Sequence, residues 1–265
     1  MSRKVSARSL FFHIAALALA LIVPSLVFSV VLAKRWVASE EARLGTTARE
    51  QNDRALVQIE RYLAGQIAML QALASSPALE SRDFKRFDQQ ARELLQLQGV
   101  DIVLRDRTGR QWINTRLPWG GALPRTDLET DQVVLRTRQP SVSDLFASAA
   151  FGAPVAVAIV PVLRQGEVEY LLSGAIPPQV VADLLRKTGV ADPYSAFVTD
   201  RTGRVIARFP HPDHEAGEPF RELAGPAGAE QGSPGTSRDE AVASASQISD
   251  LSGWRIGIGV RTAAL

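Results

Sequence analysis

The chain has 265 residues, of which 46 % are hydrophobic and only 22 % are charged, and its formal net charge is +2. This balance is typical of a chain that buries at least one sizeable core, and it excludes a largely disordered protein. The arginines form no basic stripe, so nucleic acid is not an expected partner. The sequence contains no cysteine, which excludes disulfides and thiolate metal sites.

The N-terminal region contains an apolar run from Leu10 to Ala33 without charged or amide side chains. Because this run exceeds the roughly 20 residues that cross a bilayer core, it predicts a transmembrane helix over residues 10–33. Basic residues precede it, so residues 1–9 are predicted to be cytoplasmic and the rest extracytoplasmic, held by a single-pass anchor in the inner membrane. A cleavable signal peptide ending at Val31-Leu32-Ala33 is the competing interpretation.

The stretch after the membrane run has a helical pattern from Trp36 to Ser76. Apolar residues recur there every three or four positions, at Leu56, Ile59, Leu63, Ile67, Leu70 and Leu73. The spacing predicts a long stalk helix over residues 34–76, ended by Pro77, whose apolar stripe covers a sheet. We also expect this helix to form the contact of a homodimer. A second helix is predicted from Asp83 to Gln98, with Gly99 as its C-cap.

From Val100 onward the apolar period changes from helical to alternating, which predicts strands. The predicted strands are Val100–Arg105, Arg110–Leu117, Ser141–Phe146, Pro154–Leu163, Glu167–Ile176, Tyr194–Thr199, Arg204–Phe209, Ala241–Ile248 and Trp254–Thr262, with short helices at Asp127–Arg138 and from Pro177 to Leu185. The nearly uninterrupted apolar run Pro154–Leu163 is typical of a central strand covered on both faces, here by the long helix. Residues Ala216–Thr236, rich in Gly, Pro and Ala, predict a surface loop.

One pentapeptide, Asp-Arg-Thr-Gly-Arg, occurs twice, at residues 106–110 and 200–204, each time between two apolar runs. Strand, polar turn with Gly, strand is typical of a β-hairpin, because Gly reaches the positive φ that such loops require. Two copies predict two related domains in tandem, and chance recurrence of a short turn is the alternative. The predicted domains are membrane-distal, residues 77–178, and membrane-proximal, residues 179–265.

This order of elements resembles the double Cache sensor domains of bacterial receptors. The segments that resemble the input regions of sensor histidine kinases are Val103–Gly109, Asn114–Gly120, Leu123-Pro124, Ser143–Phe146, Val198–Arg208 and Ser252-Gly253-Trp254. The similarity in layout extends from about Val37 to the C-terminus. It implies an α+β fold in which a transmembrane helix and a long extracytoplasmic helix precede two tandem PAS-like antiparallel sheets. It also implies a signalling input that binds a small molecule on the distal domain.

The chain departs from such receptors in two respects. They continue through a second membrane helix into a kinase, cyclase or chemotaxis output, which here would lie beyond Leu265; a natural end and a truncation both remain open. The amino-acid-binding subgroup carries an acidic residue near the end of the last distal strand, where this chain reads Ser173-Gly174-Ala175-Ile176. That difference speaks against an amino acid ligand.

Strict alternation along the strand Arg110–Leu117 places Arg110, Trp112, Asn114 and Arg116 on one face. A guanidinium offers a bidentate fork to a carboxylate and an indole a flat apolar contact, so this face is predicted to recognise a small anionic molecule. The predicted ligand-binding residues are Trp112, Asn114, Arg116, Trp119, Asp144 and Tyr170. In the alternative interpretation, Arg116 pairs with Asp144 or Asp101 and both tryptophans belong to the core.

Enzymatic chemistry lacks support in the sequence. His211 and His214 flank Asp213 without a third metal ligand, which is more typical of a solvated turn. Ser233 lacks the strand-to-helix setting of a nucleophile elbow, and Gly257-Ile258-Gly259 is followed by no helix for a pyrophosphate. We therefore predict no enzyme, no metal and no cofactor. The alternative function is a membrane-anchored dimerisation or interaction module without ligand or output.

Overall fold

A computed structural model describes residues 7–210, 216–220 and 241–261. The fold is α+β, as predicted, with a long N-terminal helix and two antiparallel sheets. The chain divides into two compact units, residues 1–47 and 48–265, and both sheets belong to the second. His211, His214 and most of the predicted loop after Ala216 lie outside the described residues.

Five helices occur among the described residues: α1 (Ala7–Ala74), α2 (Pro77–Glu80), α3 (Phe84–Gln98), α4 (Glu129–Thr137) and α5 (Pro178–Lys187). Helix α1 ends at Ala74, close to the predicted end at Ser76. The Ser76 hydroxyl accepts the Ala78 N–H at 3.2 Å and so caps the start of α2. Gly99 ends α3 at φ +70°, a left-handed conformation that favours glycine. Where the structure describes helical side chains, no segment combines the length and apolarity of a membrane span.

The first sheet contains β1 (Ile102–Asp106), β2 (Gln111–Asn114), β3 (Ser141–Val142), β4 (Phe146–Ser148), β5 (Ala153–Arg164) and β6 (Glu167–Ile176). Its strand order is β2-β1-β6-β5-β3, with β4 also paired to β5, and all neighbours are antiparallel. The single strand predicted from Ser141 to Phe146 was wrong. Residues 143–145 interrupt the strand between β3 and β4: Ser143 still bonds Val157 of β5, but the Ser143 carbonyl, Asp144 and Leu145 bond to groups beside the second sheet.

The second sheet contains β7 (Tyr194–Thr199), β8 (Val205–Phe209), β9 (Ala241–Ile248) and β10 (Arg255–Arg261), in the order β8-β7-β10-β9. Its neighbours are also antiparallel. The two pentapeptide turns are built alike. Asp106 Oδ1 accepts the Thr108 N–H at 2.8 Å, and Asp200 Oδ1 accepts the Thr202 N–H at 2.9 Å. The hairpin predicted at each copy is therefore confirmed.

The apolar stripe of α1 is buried within the second compact unit. Ile59, Leu63 and Leu70 are all at most 1 % exposed. Leu70 packs closely on Gly174 of β6, because a Cβ added at Gly174 would lie 3.3 Å from the Leu70 side chain. On the opposite face of the first sheet, Val134 of α4 packs against a cluster with Val157 and Ile159. The stripe thus covers a sheet, and Leu63 and Leu70 are not available for a homodimer contact.

Candidate functional site

A cavity of about 290 Å³ opens on the face of the first sheet that lies opposite α1. Strands β1, β2, β5 and β6 supply its floor, which includes Val103, Arg105, Asn114, Val157, Ser173 and Ala175. Residues 124–128 form one wall, and residues 146–151, which comprise β4 and the following turn, form the other. The cavity is therefore enclosed by apolar side chains with a few polar groups among them, as small-molecule sites usually are.

The most distinctive group in the cavity is the guanidinium of Arg105, which is 1 % exposed. Its Nη2 donates to Asp131 Oδ1 at 2.8 Å and to the Ser173 hydroxyl at 3.1 Å. Its Nε finds no hydrogen-bond partner among the residues that the structure describes. A buried donor without an acceptor costs free energy, and Nε has almost no accessible surface, so a ligand oxygen reaches it only after its neighbours shift.

Burial also sets the electrostatics of this pair. Desolvation lowers the pKa of Arg105 and raises the pKa of Asp131, and the attraction between the two charges opposes both shifts. The arginine stays charged because a guanidinium loses its proton only far above neutral pH. The cavity therefore has in its lining a fixed cation that is paired with Asp131 and is also under the influence of the Asp127 charge.

Arg116 contacts the wall formed by residues 146–151 and holds it in position. Its guanidinium lies 4.1 Å from the centroid of the Phe151 ring, and its Nε donates to the Ala150 carbonyl at 2.9 Å. A further bond joins Arg116 Nη1 to Asp101 Oδ2 at 3.0 Å. Arg116 does not line the cavity itself. The alternative in which it pairs with Asp101 is confirmed, and the residue acts on the cavity by holding its wall.

Of the predicted wall of Arg110, Trp112, Asn114 and Arg116, the first three line a second cavity described below, and only Asn114 also lines the Arg105 cavity. The pairing of β1 with β2 shifts register by one residue, so that Val103 faces Asn114 while Arg105 faces Gln111. Gln111 and Asn114 consequently share the cavity face. Trp112 is the extra residue of this bulge and points elsewhere. Strict alternation fails here because a bulge inserts a residue into only one of two paired strands.

Trp112 and Tyr170 belong to an aromatic cluster with Phe84 of α3. The Trp112 and Phe84 rings stack with centroids 4.8 Å apart, and Tyr170 meets both edge-on at 6.4 and 5.8 Å. Neither Trp112 nor Tyr170 lines the Arg105 cavity. Of the six predicted ligand-binding residues, Asn114 alone lies on it.

Trp119 lies with Trp112 and Asn114 beside a second cavity, of about 330 Å³, outside the edge strand β2. Arg92 is a half-buried cation there, and its guanidinium already bonds Asp88 and the carbonyls of Thr115 and Leu117. Arg110 also lines this cavity from an exposed position, with its guanidinium 5.0 Å from the centroid of the Trp112 ring. Asp144, the remaining predicted residue, pairs with Arg201 of the second sheet and lines neither cavity.

The equivalent place in the second sheet is filled. Aligning the two pentapeptides matches Val103 with Phe197, Arg105 with Thr199, Thr126 with Phe220 and, through strand pairing, Ser173 with Gly257. Phe197 and Phe220 stack with centroids 4.6 Å apart. A Cβ at Gly257 would lie 2.1 Å from Phe197 Cζ, so glycine makes room for this ring. The cavity and its buried cation therefore belong to the first sheet.

Sequence reasoning missed the residues that define the cavity, namely Arg105, Gln111, Asp127, Phe146, Phe151 and Ser173. One signal for Arg105 was present, because alternation in β1 puts it on the same face as Val103. No comparable signal existed for the wall after Leu145, which depends on the tertiary position of a short strand.

Comparison with known proteins supports the fold. No protein-family model matches the chain, and no curated protein sequence does either. Solved sensor domains match it over most of its length. The ligand-binding domain of the Pseudomonas aeruginosa amino acid chemoreceptor PctC, in complex with GABA, is 19 % identical, with a TM-score of 0.55 and coverage of 84 % of this chain and 99 % of that one.

Two further structures agree. The sensor domain of the V. cholerae histidine kinase DctB is 12 % identical, with a TM-score of 0.61 over 84 % of this chain and 99 % of that one. The ligand-binding domain of the Pseudomonas fluorescens chemoreceptor CtaA, in complex with L-isoleucine, is 15 % identical, with a TM-score of 0.57 over 84 % of this chain and 93 % of that one. The resemblance to double Cache sensor domains is thereby confirmed, at the level of the fold.

Proposed function

We propose that this chain is the extracytoplasmic input domain of a signal-transduction receptor of the sensor histidine kinase type, and that it binds a small organic carboxylate in the Arg105 cavity. The single observation that carries the proposal is the buried guanidinium of Arg105 in the lining of a cavity of ligand size. Structures of the same fold include complexes with GABA and with L-isoleucine, both of which carry a carboxylate. The chain itself has no catalytic role in this proposal.

The ligand class follows from the surroundings of Arg105. A carboxylate oxygen accepts from guanidinium nitrogens in a charge-assisted bond, which is about twice as strong as a neutral one. Phe146, Phe151 and Val155 line the cavity as well and suit a short apolar chain attached to the carboxylate. Asn114 and Ser173 add polar contacts beside the guanidinium.

The signalling step in this proposal runs from the cavity floor to α1. In β6, Ser173 and Ala175 line the cavity, whereas Gly174 between them faces α1 and leaves room for Leu70. A ligand that shifts β6 therefore acts on the helix through a close packing contact. We expect occupancy to favour one of two arrangements of sheet against helix.

The proposed location is the inner membrane, with residues 10–33 as a single-pass anchor and the remainder extracytoplasmic. The supporting observation is the apolar run in the sequence with basic residues before it. The distal and proximal domains, residues 77–178 and 179–265, each contain one of the two sheets in this proposal.

Homodimerisation through the long helix is a second part of the proposal, and it is also what the alternative interaction module requires. The buried stripe leaves other faces of α1 for such a contact. Val57 of α1, with 50 % of its surface exposed, is the apolar candidate. A single exposed apolar side chain is ordinary on a protein surface, so Val57 marks the face on which this part of the proposal is tested.

The binding proposal is tested with the purified full chain by measuring its thermal unfolding midpoint with butyrate and γ-aminobutyrate, each paired with the amide that lacks its carboxylate. A bound carboxylate raises the midpoint as its concentration rises, since it binds only the folded state, and the amides should not. Val103→Phe, which fills the cavity as Phe197 fills the second site, should abolish the shift. Arg107→Ala, on an exposed turn, is the matched control and should retain it.

Equal shifts with the amides would reject recognition of an anion. Shifts that persist in Val103→Phe would place the binding site outside the Arg105 cavity.

A further inference from the structure

The second pentapeptide turn, residues 200–204, makes contacts that its first copy does not make. Arg201 Nε donates to both carboxylate oxygens of Asp144, at 3.0 and 3.1 Å, and the Arg201 N–H donates to Asp144 Oδ1 at 3.0 Å. Arg201 Nη2 also donates to the Val142 carbonyl at 3.1 Å. The same position in the first turn is Arg107, whose side chain is exposed. The second copy of the turn thus bonds to the first sheet through Arg201, and we call this set of contacts the clamp.

Two buried residues of the second sheet complete this clamp. Asp200, 2 % exposed, accepts the Leu145 N–H at Oδ2 over 3.2 Å. Trp254, fully buried, donates its indole N–H to the Ser143 carbonyl at 3.2 Å. In the first turn the corresponding oxygen, Asp106 Oδ2, accepts the neighbouring Trp112 indole N–H and no other donor among the residues that the structure describes. The segment 142–145 is therefore held by groups of the second sheet at successive residues.

The same segment is joined directly to the Arg105 cavity. Leu145 is followed by β4 (Phe146–Ser148), which forms part of the cavity wall. The Ser143 hydroxyl accepts the N–H of Val157, a residue of the cavity floor, at 3.0 Å. No other wall of the cavity combines contact with the ligand space and bonds to the second sheet, among the residues described.

We propose that the segment 142–145 transmits occupancy of the cavity to the second sheet through the clamp of Asp200, Arg201 and Trp254. This inference rests on the proposed function only in taking the cavity as the site of occupancy. Strand β4 pairs with β5 alone, whereas the floor strands β1, β5 and β6 have neighbours on both sides. A short strand with a single neighbour is the wall that yields most readily when the cavity fills.

The clamp converts that movement into a change at the second sheet. Hydrogen bonds to charged groups are strong and directional, so displacement of Asp144 either carries Arg201 with it or breaks the pair. Arg201 belongs to the turn between β7 and β8, and Trp254 immediately precedes β10. Coupling between two sites is reciprocal, so changes in the clamp must also alter the cavity wall. That reciprocity permits a test without any ligand.

The first test compares Arg201→Ala with Arg107→Ala in the full chain by hydrogen–deuterium exchange. Removing the Arg201 side chain deletes the charged contacts with Asp144 and should speed exchange at residues 145–148 by roughly tenfold, since local opening of the wall becomes easier. Arg107→Ala makes the same substitution at the same position of the first turn and should leave these amides unchanged. Equal exchange of residues 145–148 in the two variants would overturn the proposal.

The second test works in the opposite direction. Val103→Phe, with Ser173→Gly as a companion change, reproduces in the first sheet the Phe197 and Gly257 pair that fills the second. Filling the cavity in this way should change exchange at residues 200–204 by at least about threefold, and adding Arg201→Ala should remove that change. A change confined to residues 146–151 would also overturn the proposal.

Neither test contains a ligand. A failure of butyrate and γ-aminobutyrate to bind would therefore count against the proposed function while leaving these two results decisive for the coupling.

Discussion

Arg116 and Phe151 hold the cavity wall closed from its outer side, with the guanidinium 4.1 Å from the ring centroid. Arg116→Lys keeps a charge near Asp101 but loses both the stacked plane and the Nε bond to Ala150. We expect residues 149–152 to exchange their amide hydrogens several-fold faster. The free energy of global unfolding should fall by about 1 kcal/mol or less, because Arg116 is partly exposed. Unchanged exchange in this segment would show that the wall needs no such fastening.

The first turn should make a pH-dependent contribution to stability. Desolvation raises the pKa of Asp106, but hydrogen bonds from Thr108, Trp112 and Arg110 together outweigh it, so the net pKa lies below the ordinary 3.8. A depressed carboxyl pKa stabilises the folded state above the unfolded value and loses that contribution as pH falls through the folded value.

Asp106→Asn should therefore cost about 1 kcal/mol at pH 7, a figure kept small by solvent screening, and progressively less below pH 3.8. Urea unfolding of both proteins at pH 7 and pH 3 measures the difference. A cost that is constant across this range would contradict the charged role of Asp106.

The filled site of the second sheet predicts a compensating pair of substitutions. Gly257→Ala places a Cβ 2.1 Å from Phe197 Cζ and should destabilise the fold by about 1–3 kcal/mol, because the ring cannot move without displacing Phe220. Phe197→Ala alone should cost about 3–5 kcal/mol through the cavity it creates.

In the double variant, the added cost of Gly257→Ala should nearly vanish, since the clashing ring is gone. A double-mutant cycle by urea unfolding measures this coupling, and strictly additive costs would contradict the packing of Phe197 on Gly257.

A homodimer through α1 can be tested by single cysteines, because the natural chain has none. Val57→Cys, on an exposed face, should form a covalent dimer under mild oxidation in membranes. Leu63→Cys, fully buried against the protein, is the matched control and should not. Efficient crosslinking through position 63 would mean that the helix separates from the sheets in the membrane, and no crosslinking at either position would argue against this dimer.

The buried pair of Arg105 and Asp131 should be sensitive to removal of one partner. Asp131→Ala leaves a desolvated guanidinium uncompensated and should lower the free energy of unfolding by about 3–5 kcal/mol. Asp127→Ala, an exposed carboxylate beside the same cavity, should change it by about 0.5 kcal/mol or less. The double variant Arg105→Met with Asp131→Leu should recover much of the lost free energy of unfolding, and it should no longer bind carboxylates.

Much of the fold could be predicted from local pattern. The ends of α1 and α3 follow from Pro77 and Gly99, and both hairpins follow from the pentapeptides. These features depend on residues close in sequence, and the conformational limits of Pro and Gly act within a turn. The strand predicted as one piece from Ser141 to Phe146 failed because its middle is held by another sheet.

The candidate site could be predicted much less well. Alternation along β2 predicts one common face for Trp112 and Asn114, but a register shift against β1 places Trp112 in the aromatic cluster. Asp144 and Arg116 are charged residues that found carboxylate or guanidinium partners far along the chain. Such pairings depend on which strands become neighbours in the sheet, and the spacing of residues along the chain does not show which strands these are.

The sequence alone therefore determined the order of helices and strands and the duplication of the turn, because these depend on short-range limits of the backbone and on apolar period. Only the tertiary structure decided that the first sheet keeps a cavity around Arg105 while Phe197 fills the second. That outcome depends on which side chains from separate strands meet on one face. Whether those side chains fill the space or leave a cavity is decided only when the strands have paired.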